Sequence, residues 1–438
     1  MQIEEAKYFW TKEIRPRFSK SALEAKVRGI SKFYVRYVNL DNAATTKPFR
    51  SVVDKVKEFL DEYGSVHRGA GQHSIITTER YESARDRIRR FVGASDNNYI
   101  LFTKNTTEAV NNLSTLLKYE LGKVLVSEIE HSSNLLPWLK NGEIKQYKTN
   151  EKNEIDLDDL EAKLKNNEIK LVVVTGASNV TGYKPPVYEI AKLAHKYGTR
   201  IFVDCCQLLQ HEKVDVLEDD DLRHLDFIAF SGHKMYAPFG SGCLVGPKDF
   251  FDESSPYQIG GGNLPYITHN LEIKRFKNVR AHDPGSPNAV GAIAIEEAIN
   301  NLEDIGLNKI AEYENTLMKV AIEKIKQIRG VNLYIDQENI PGTVIPFDME
   351  GINHKIVAEK LAEYHGIGLR SGSFCCYELV RRLKNISREQ DQKIADEVES
   401  GITTNIPGIV RASIALCNNL EDIDTFVEGL SYLVTYKG

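Results

Sequence analysis

Two adjacent cysteines, Cys375 and Cys376, lie in the stretch GLRSGSFCCYEL at residues 368–379. The Gly and Ser residues around them favour turns, so the sequence predicts a loop. A loop cysteine can be a metal ligand, a disulfide partner or a nucleophile, or it can have no chemical role. Neighbouring cysteines bridge only through a strained ring, and neither the six cysteines nor the eleven histidines show the spacing of a metal site. We therefore predict no metal site, and two interpretations of the loop remain, a nucleophile or no role.

A lysine and an aspartate each follow a short apolar run, Lys234 in FSGHK and Asp204 in VDCCQ. A lone lysine after a strand usually extends its amine to water, but a partly desolvated lysine can form a Schiff base with a carbonyl. A buried carboxylate needs a cationic partner, either an arginine or a protonated pyridine nitrogen. A Schiff-base lysine with an aspartate on the ring nitrogen is the arrangement that holds pyridoxal 5′-phosphate (PLP).

Polar residues near this lysine and in the stretch FTKNTTEAVNNL (residues 102–113) can bind a phosphate. Ser231 and His233 can donate hydrogen bonds to it. Thr106 and Thr107 precede an amphipathic helix, whose first-turn N–H groups favour an anion. Helix capping alone would also explain the two threonines.

These residues must be positioned by a sheet. Near-continuous apolar runs alternate with helical patterns, which is typical of strands buried on both faces of a parallel α/β sheet. The runs are KVLVSEIEH (123–131), KLVVVTGAS (170–178), RIFVDCCQ (200–207), DFIAFSGHK (226–234) and SGCLVGP (241–247). PPVYEIAKLAHKYG (185–198) predicts a crossover helix, with Pro at its start and Gly at its end. His131, Asn179, Asp204 and Lys234 follow the first four runs, and we expect them at the carboxyl edge, where such sheets bind ligands.

The chain of 438 residues is long enough for more than one domain. We predict an N-terminal helical arm at residues 1–38, a large domain at 39–300 and a smaller α+β domain at 301–438. The last contains the cysteine loop (370–376) and a charged helical segment (383–401).

Composition narrows the class of function. The chain is 42% hydrophobic and 27% charged with a net charge of −6, which argues against a protein that binds nucleic acid or an anionic membrane. No apolar run approaches the ~20 residues of a membrane helix. The start lacks the pattern of a secretion signal, and the few cysteines do not make a disulfide framework, so we expect the cytoplasm.

A series of motifs resembles one family. In family order across residues 40 to 418, the chain carries LDNAATT, VHRGAGQHS, KNTTEAVN, EHSSNLLPW, ASNVTG, VDCCQ, FSGHK, GGGN, PGSPN, RSGSFC and RASIALCN. The sequence resembles the class V, fold-type I PLP enzymes, and within them the cysteine desulfurase and selenocysteine lyase branch. The resemblance implies an α/β fold, with a large domain built on a mainly parallel central sheet flanked by helices and a smaller α+β C-terminal domain.

The resemblance also implies roles for individual residues. Lys234 would bind PLP as a Schiff base and later move the α-proton of the substrate. The other cofactor contacts would be Asp204 at the pyridinium, Gln207 at the ring hydroxyl, His131 stacked on the ring, and Thr106, Thr107, Ser231, His233 and Ser286 at the phosphate. Ser286 would arrive from the second subunit of a homodimer. Arg411 and Asn179 would orient the substrate carboxylate, and His67 would lie near the substrate.

In this branch the last cysteine of R-x-G-x-x-C attacks the substrate sulfur and carries it as a persulfide, and Cys375 occupies that position. The implied reaction converts L-cysteine to L-alanine and passes the sulfur to an acceptor, possible acceptors including a protein. Three features depart from the family pattern. Ser373 and Phe374 stand where relatives often have histidines, Cys206 stands where they have alanine, and the stretch from Cys376 to Arg411 is longer.

Two other classes of function remain open. One is a different class V enzyme, an aminotransferase, epimerase or C–S lyase, in which Cys375 is not the nucleophile. The other is a non-catalytic scaffold that binds partners through the charged segment 383–401. Retention of Lys234, Asp204, His131 and Arg411 together argues against the scaffold.

Overall fold

The structure is a computed structural model that describes residues 1–29, 34–166 and 168–435. It forms two compact units. We name residues 1–44, 178–184 and 308–438 the terminal unit, and residues 45–177 and 185–307 the central unit. Residues 30–33 of the predicted arm and 436–438 of the predicted C-terminal domain lie outside the described residues. The domain boundaries predicted at 38/39 and 300/301 stay a prediction.

The helices and strands of the described residues have the following bounds. The helices are α1 (Ile3–Phe9), α2 (Lys20–Leu23), α3 (Arg50–Asp61), α4 (Gln72–Phe91), α5 (Thr106–Leu116), α6 (Leu136–Asn141), α7 (Leu157–Lys165), α8 (Val187–Lys196), α9 (Lys248–Glu253), α10 (Ala289–Ile305), α11 (Leu307–Ile325), α12 (His354–His365), α13 (Tyr377–Leu383), α14 (Arg388–Glu399) and α15 (Leu420–Thr435). The strands are β1 (Lys26–Arg28), β2 (Tyr34–Arg36), β3 (Val38–Asn39), β4 (Asn98–Thr103), β5 (Lys123–Ser127), β6 (Ile144–Tyr147), β7 (Ile169–Thr175), β8 (Arg200–Asp204), β9 (Phe227–Ser231), β10 (Gly242–Pro247), β11 (Tyr266–Ile267), β12 (Ile273–Lys274), β13 (Val331–Leu333), β14 (Val344–Met349), β15 (Ile367–Gly368), β16 (Arg370–Gly372) and β17 (Ile409–Ser413).

The central unit contains a seven-stranded sheet in the order β4-β10-β9-β8-β7-β5-β6. Within the run from β9 to β6, each strand is parallel to the next one in the order. β7, β8 and β9 are almost entirely buried, which explains their continuous apolar sequences, because helices on both faces leave no exposed side. This mostly parallel sheet confirms the predicted α/β fold.

One predicted strand runs in the opposite direction. β10 is antiparallel to both β9 and β4. A parallel connection needs a crossover of a dozen or more residues, whereas only residues 232–241 separate β9 from β10. The predicted crossover helix at residues 185–198 is α8, which follows Pro186 and ends before Gly198, a residue in the left-handed region at φ +67°.

The terminal unit is built on a four-stranded antiparallel sheet in the order β13-β14-β17-β16. The predicted helical arm is mostly helical up to Leu23 but also contains the antiparallel strand pair β1–β2. Phe9 of α1 packs against Tyr313 of α11, with ring centroids 5.5 Å apart. The charged segment 383–401 contains α14, which begins with a capping box at Ser387 and has no buried residue among those described. Among the described helices, none has the length and apolarity required to traverse a bilayer.

Candidate active site

The carboxyl edge of the central sheet brings several predicted residues together. Asp204 ends β8 and pairs with Thr175 at the end of β7 and with Ala229 of β9. Ser231 ends β9, and a 3₁₀ turn over Gly232–Lys234 follows at once. Register therefore places Asp204, Ser231 and the lysine turn at the same edge of the sheet, as expected for a ligand site in a parallel α/β protein. Asn179, predicted at this edge, belongs to the terminal unit.

Asp204 is a buried carboxylate, only 5% exposed. The backbone N–H of Cys206 donates to its Oδ1 at 3.0 Å. Within the described residues, no lysine, arginine or histidine forms an ion pair with it. A buried charge without a cationic partner is costly, so a cationic group on a ligand, such as a protonated ring nitrogen, fits this position.

The turn that carries Lys234 is held by the LDNAATT motif. Thr45 and Thr46 donate their hydroxyls to the carbonyl of His233 at 3.1 and 3.2 Å. A side chain at Gly232 would lie 3.0 Å from the carbonyl oxygens of Ala237 and Ser241, so the turn requires glycine. Burial and the charge of Lys234 lower the pKa of the His233 imidazole to about 4. His233 is therefore neutral near pH 7 and can donate one N–H to an anion.

Hydrogen bonds connect the first residue of α5 to the last residue of β9. Ser231 Oγ accepts from the backbone N–H of Thr106 at 2.9 Å and lies 3.0 Å from the Thr106 hydroxyl. The N-cap of α5 is Asn105, whose side chain accepts from Glu108 N–H at 3.0 Å. α5 begins at Thr106, so Thr106 and Thr107 lie in the first turn of the helix rather than before it, and helix capping does not explain Thr106. Thr107 is exposed, with its hydroxyl 2.8 Å from that of Ser133.

Cys206 lies beside these hydroxyls as a neutral thiol. Its Sγ is 2.7 Å from Thr106 Oγ1 and 3.5 Å from Ser231 Oγ. Burial, together with the charge of Asp204, raises the pKa of the Cys206 thiol to about 11. Because the thiolate is the reacting form, Cys206 is a packing and hydrogen-bonding group rather than a nucleophile at neutral pH.

His131 follows β5, and its Nδ1 accepts from the backbone N–H of Ser133 at 3.1 Å. Its neighbour Glu130 is a buried acid that motif reasoning missed. Glu130 accepts from the backbone N–H of Thr175 at 2.8 Å and from Asn134 at 2.6 Å. Burial raises the pKa of Glu130 to about 7, against these lowering hydrogen bonds and with a further contribution from Asp204. The available signal was an acidic residue three positions after the buried strand β5, which ends at Ser127.

The remaining predicted residues of the central unit are less closely connected to this edge. Gln207 is half-buried in the turn after β8. Ser286 is exposed and lines a cavity of about 240 Å³ together with Lys104 and Glu108. His67 lies in the left-handed region at φ 70° and places its Nε2 2.6 Å from Glu82 Oε1.

In the terminal unit, Arg411 of β17 is a buried guanidinium, 2% exposed. Its Nη1 donates to the carbonyl of Asn179 at 2.9 Å, and its Nη2 lies 3.3 Å from Asp41 Oδ1. Its Nε has no hydrogen-bond partner among the described residues. Burial lowers the pKa of Arg411 to about 10, partly offset by the carboxylate of Asp41, so the side chain stays charged near pH 7. An unpartnered N–H on a buried cation suits a carboxylate ligand.

The cysteine loop is a tight turn with unusual backbone angles. Cys376 N–H donates to the Ser373 carbonyl at 2.9 Å, and the two residues between them, Phe374 and Cys375, have φ values of 53° and 58°. Positive φ at both central positions is the pattern of a type I′ turn, which favours Asn-Gly rather than Phe-Cys. Side chains in this region are strained, and such strain concentrates at functional sites.

Two predicted substrate residues hold this turn. Asn179 Nδ2 donates to the Phe374 carbonyl at 2.8 Å, and the Arg411 guanidinium carbon lies 4.8 Å from the Phe374 ring centroid. Phe374 is buried, whereas Cys375 is exposed. Of the six cysteines, all within the described ranges, only Cys375 is exposed. Sequence reasoning did not identify Asp41, the carboxylate that contacts both Arg411 and Arg370. Arg370 Nη2 donates to Asp41 Oδ2 at 3.0 Å.

The chain is similar in sequence to a known protein family. The model of the family described as aminotransferase class-V matches residues 38–426. A "Probable cysteine desulfurase" of Halalkalibacterium halodurans is 32% identical over 412 residues, covering 92% of this chain and 94% of that protein. A "Cysteine desulfurase" of Yersinia pseudotuberculosis is 30% identical over 411 residues, with 92% and 94% coverage.

Solved structures show the same likeness. The apo structure of a cysteine desulfurase from Thermococcus onnurineus NA1 matches with a TM-score of 0.80 at 31% identity, covering 91% of this chain and 95% of that one. The cysteine desulfurase CsdA (S-sulfonic acid) from Escherichia coli matches with a TM-score of 0.77 at 27% identity, with 91% and 95% coverage. These findings confirm the resemblance and the fold-type I architecture predicted from the motifs.

Proposed function

Because this chain belongs to the class-V aminotransferase family, we propose that it is a PLP-dependent cysteine desulfurase that converts L-cysteine to L-alanine. The observation that carries the proposal is the position of Cys375, an exposed thiol at the tip of a strained turn, held by the buried guanidinium of Arg411 and the amide of Asn179. An aminotransferase or epimerase has no need of such a thiol. The retained lysine site and phosphate donors argue against a non-catalytic scaffold.

The residues at the carboxyl edge of the central sheet fit the cofactor that the family implies. Asp204 supplies the buried anion for the ring nitrogen, and Lys234 supplies the amine that binds the cofactor. Thr106, Ser231 and neutral His233 supply donors for the phosphate, to which we add Thr107 and, across a homodimer, Ser286. We assign the ring face to His131 and the ring hydroxyl to Gln207. When bound, PLP supplies an electron-accepting ring that stabilises negative charge at the substrate α-carbon.

The other steps belong to this chain's own groups. Arg411 orients the substrate carboxylate through its unpartnered Nε, with Asn179 fixing the adjacent turn and His67 near the substrate. Lys234 Nζ takes the α-proton and later returns a proton to the product. The Cys375 thiolate attacks the substrate sulfur, so the S–S bond of the persulfide forms as the substrate C–S bond breaks. L-cysteine and the enzyme thiol thereby become L-alanine and an enzyme persulfide, with no external oxidant.

We further propose that the persulfide is handed to a sulfur-acceptor protein and that the enzyme acts as a homodimer in the cytoplasm. An exposed thiol at a turn is open to a partner, which supports transfer. The family's PGSPN and GGGN motifs support the dimer. A reducing compartment would keep Cys375 available as a thiol.

The test supplies L-cysteine and a reductant to the holoenzyme and measures sulfide and alanine. We expect both products from the wild type, neither from Lys234→Ala, and loss of sulfide from Cys375→Ala. Cys376→Ala is the matched control, because this neighbouring cysteine is buried and we expect the variant to keep most activity. Loss of the visible absorbance of lysine-bound PLP in Lys234→Ala would assign the anchoring residue.

Other outcomes would identify the alternatives. Undiminished turnover in Cys375→Ala would point to a C–S lyase. Activity that requires a keto acid and yields its amino derivative would indicate an aminotransferase. A wild-type protein that gains no visible absorbance after addition of PLP would indicate the scaffold and contradict the proposal.

A further inference from the structure

Glu130 is a buried acid near the carboxyl edge of the central sheet, and the proposed reaction does not use it. It lies three positions after the end of β5 and directly before His131, and it is only 5% exposed. Within the described part of the chain, no lysine, arginine or histidine forms an ion pair with it. A carboxyl group buried without a cationic partner is costly, so its hydrogen bonds must offset that cost.

Three donors from separate elements converge on the two oxygens of Glu130. The hydroxyl of Ser127, at the end of β5, donates to Oε1, as does the backbone N–H of Thr175 at 2.8 Å. Asn134 Nδ2 donates to Oε2 at 2.6 Å. All three donor residues are buried. Glu130 therefore joins the ends of β5 and β7 to the turn that follows His131.

The bond from Thr175 takes the place of a strand pair. The pairing of β5 with β7 ends at Val126–Val173, whereas the pairing of β7 with β8 continues to Thr175–Asp204. The N–H of Thr175 thus lies beyond the last pair with β5, and because it is buried it needs an acceptor. Glu130 supplies that acceptor, and the residue that it binds is the sheet partner of Asp204.

The bond from Asn134 holds the turn that carries His131. His131 is the N-cap of the 3₁₀ turn Ser132–Asn134. The backbone N–H of Asn134 donates to the His131 carbonyl at 2.7 Å, and its side-chain amide donates to Glu130. His131 therefore lies between two points that are both bonded to Asn134. Any movement of His131 relative to the sheet would break a buried hydrogen bond.

We propose that Glu130 is a positioning residue of the cofactor site, which fixes His131 relative to Asp204 by joining the His131 turn to the end of β7. This role rests on the proposed function, in which His131 covers the face of PLP and Asp204 binds its ring nitrogen. Both residues contact one rigid ring, so their separation must stay constant, and a supporting group that locks it is required.

The role depends on hydrogen-bond geometry rather than on charge. Burial raises the pKa of Glu130 to about 7, against lowering by the bonds from Ser127, Asn134 and Thr175, so the acid is fully charged only above neutral pH. A glutamine keeps one oxygen for Ser127 and Thr175. Its amide can donate to Asn134 Oδ1, which has no hydrogen-bond partner among the described residues, once the Asn134 amide rotates. Glutamine should therefore preserve the positioning, and alanine should not.

The test compares Glu130→Ala with Glu130→Gln. PLP affinity is measured by titrating PLP into stripped protein, and the visible circular dichroism of bound PLP measures how the ring is oriented in the site. We expect Glu130→Ala to weaken PLP binding at least about tenfold and to change the dichroism per bound PLP, because buried donors lose their acceptor. Glu130→Gln should stay close to the wild type in both measurements.

A double-mutant cycle identifies the residue through which Glu130 acts. In a His131→Ala background, Glu130→Ala should change PLP affinity much less than it does in the wild type, because the group that it positions is absent. Glu128→Ala is the matched control. Glu128 is an acid of the same loop that accepts from the backbone N–H of Thr149 at 3.2 Å, and its variant should bind PLP like the wild type.

Three results would overturn the proposal. One is wild-type PLP affinity and dichroism in Glu130→Ala with only a lower urea midpoint, which would leave Glu130 a purely structural acid. Another is an undiminished effect in the His131→Ala background. The third is a loss in Glu130→Gln as large as in Glu130→Ala, which would assign the effect to charge.

If Glu130→Ala does not fold, Asn134→Ala decides by the same two measurements, because it removes the bond to the turn and leaves the bond to Thr175. Neither measurement uses L-cysteine. A protein that binds PLP but releases no sulfide would therefore contradict the proposed function and still decide the role of Glu130.

Discussion

Asn179 donates its side-chain amide to the backbone carbonyl of Phe374, at 2.8 Å, immediately before the exposed Cys375. Asn179 and Phe374 are both buried, so water cannot replace this hydrogen bond without cost. The bond holds a turn whose backbone angles are themselves unfavourable. Positioning of the thiol thus depends on a residue almost two hundred positions away in the sequence.

Loss of that bond should slow sulfur transfer. We expect Asn179→Ala to lower kcat for alanine formation about tenfold, because a buried carbonyl left without its donor costs about 1–3 kcal/mol. The rate at which iodoacetamide alkylates Cys375, measured without substrate, reflects the conformation of the turn independently of substrate binding. We expect Asn179→Ala to change this rate as well. An unchanged alkylation rate with a raised KM would instead assign Asn179 to the substrate carboxylate alone.

The strain in the cysteine turn predicts a difference between two variants that both lack the thiol. Cys375 has φ 58°, which glycine adopts readily and alanine does not. Cys375→Gly should therefore be more stable than Cys375→Ala by about 1 kcal/mol, seen as a higher urea midpoint. Equal midpoints, or a less stable glycine variant, would contradict the positive φ at this position.

Arg411 should be sensitive to replacement by lysine although the charge is kept. Its guanidinium contacts Asn179 and Asp41 and leaves Nε for a ligand, a geometry that an ammonium cannot reproduce. We expect Arg411→Lys to raise KM for L-cysteine by about 10–100-fold, as for a lost hydrogen bond to a charged group. Arg370→Lys is the control. Arg370 is about half exposed, and the one contact that it has in common with Arg411 is its ion pair with Asp41. Similar effects of both variants would refute the assigned role of Arg411.

His233 should make the folded protein less stable as the pH falls. Burial, followed by the charge of Lys234, lowers the pKa of the folded ring to about 4, whereas an unfolded histidine titrates near pH ~6.5. Its contribution to stability is therefore present above pH ~6.5 and is lost as the pH falls toward about 4, because unfolding then takes up a proton. Urea midpoints of the PLP-stripped protein should fall less steeply with acid in His233→Gln than in the wild type.

The same comparison tests the assigned phosphate contact. A phosphate beside His233 would stabilise the imidazolium and raise its pKa. The difference between wild type and His233→Gln in how steeply the urea midpoint falls with acid should therefore shrink when PLP is bound. If this difference is the same with and without PLP, His233 does not contact the phosphate.

Much of the site could be predicted without coordinates. Apolar runs that end in polar residues identified the strands ending at Asp204 and Ser231, because a strand buried on both faces excludes polar side chains until it ends. The motif around Lys234 identified the lysine turn, since Gly232 is required by local crowding. The exposed Cys375 followed from its Gly/Ser setting.

Only the tertiary structure decided how distant residues meet. The direction of β10, the bond from Asn179 to Phe374, the pairing of Arg411 with Asp41 and the bond from Thr175 to Glu130 all join separate elements. None of them leaves a spacing signal in the chain. Sequence periodicity reports local burial and local backbone preference, whereas such contacts arise when sheet register and helix packing bring together residues that no local pattern connects.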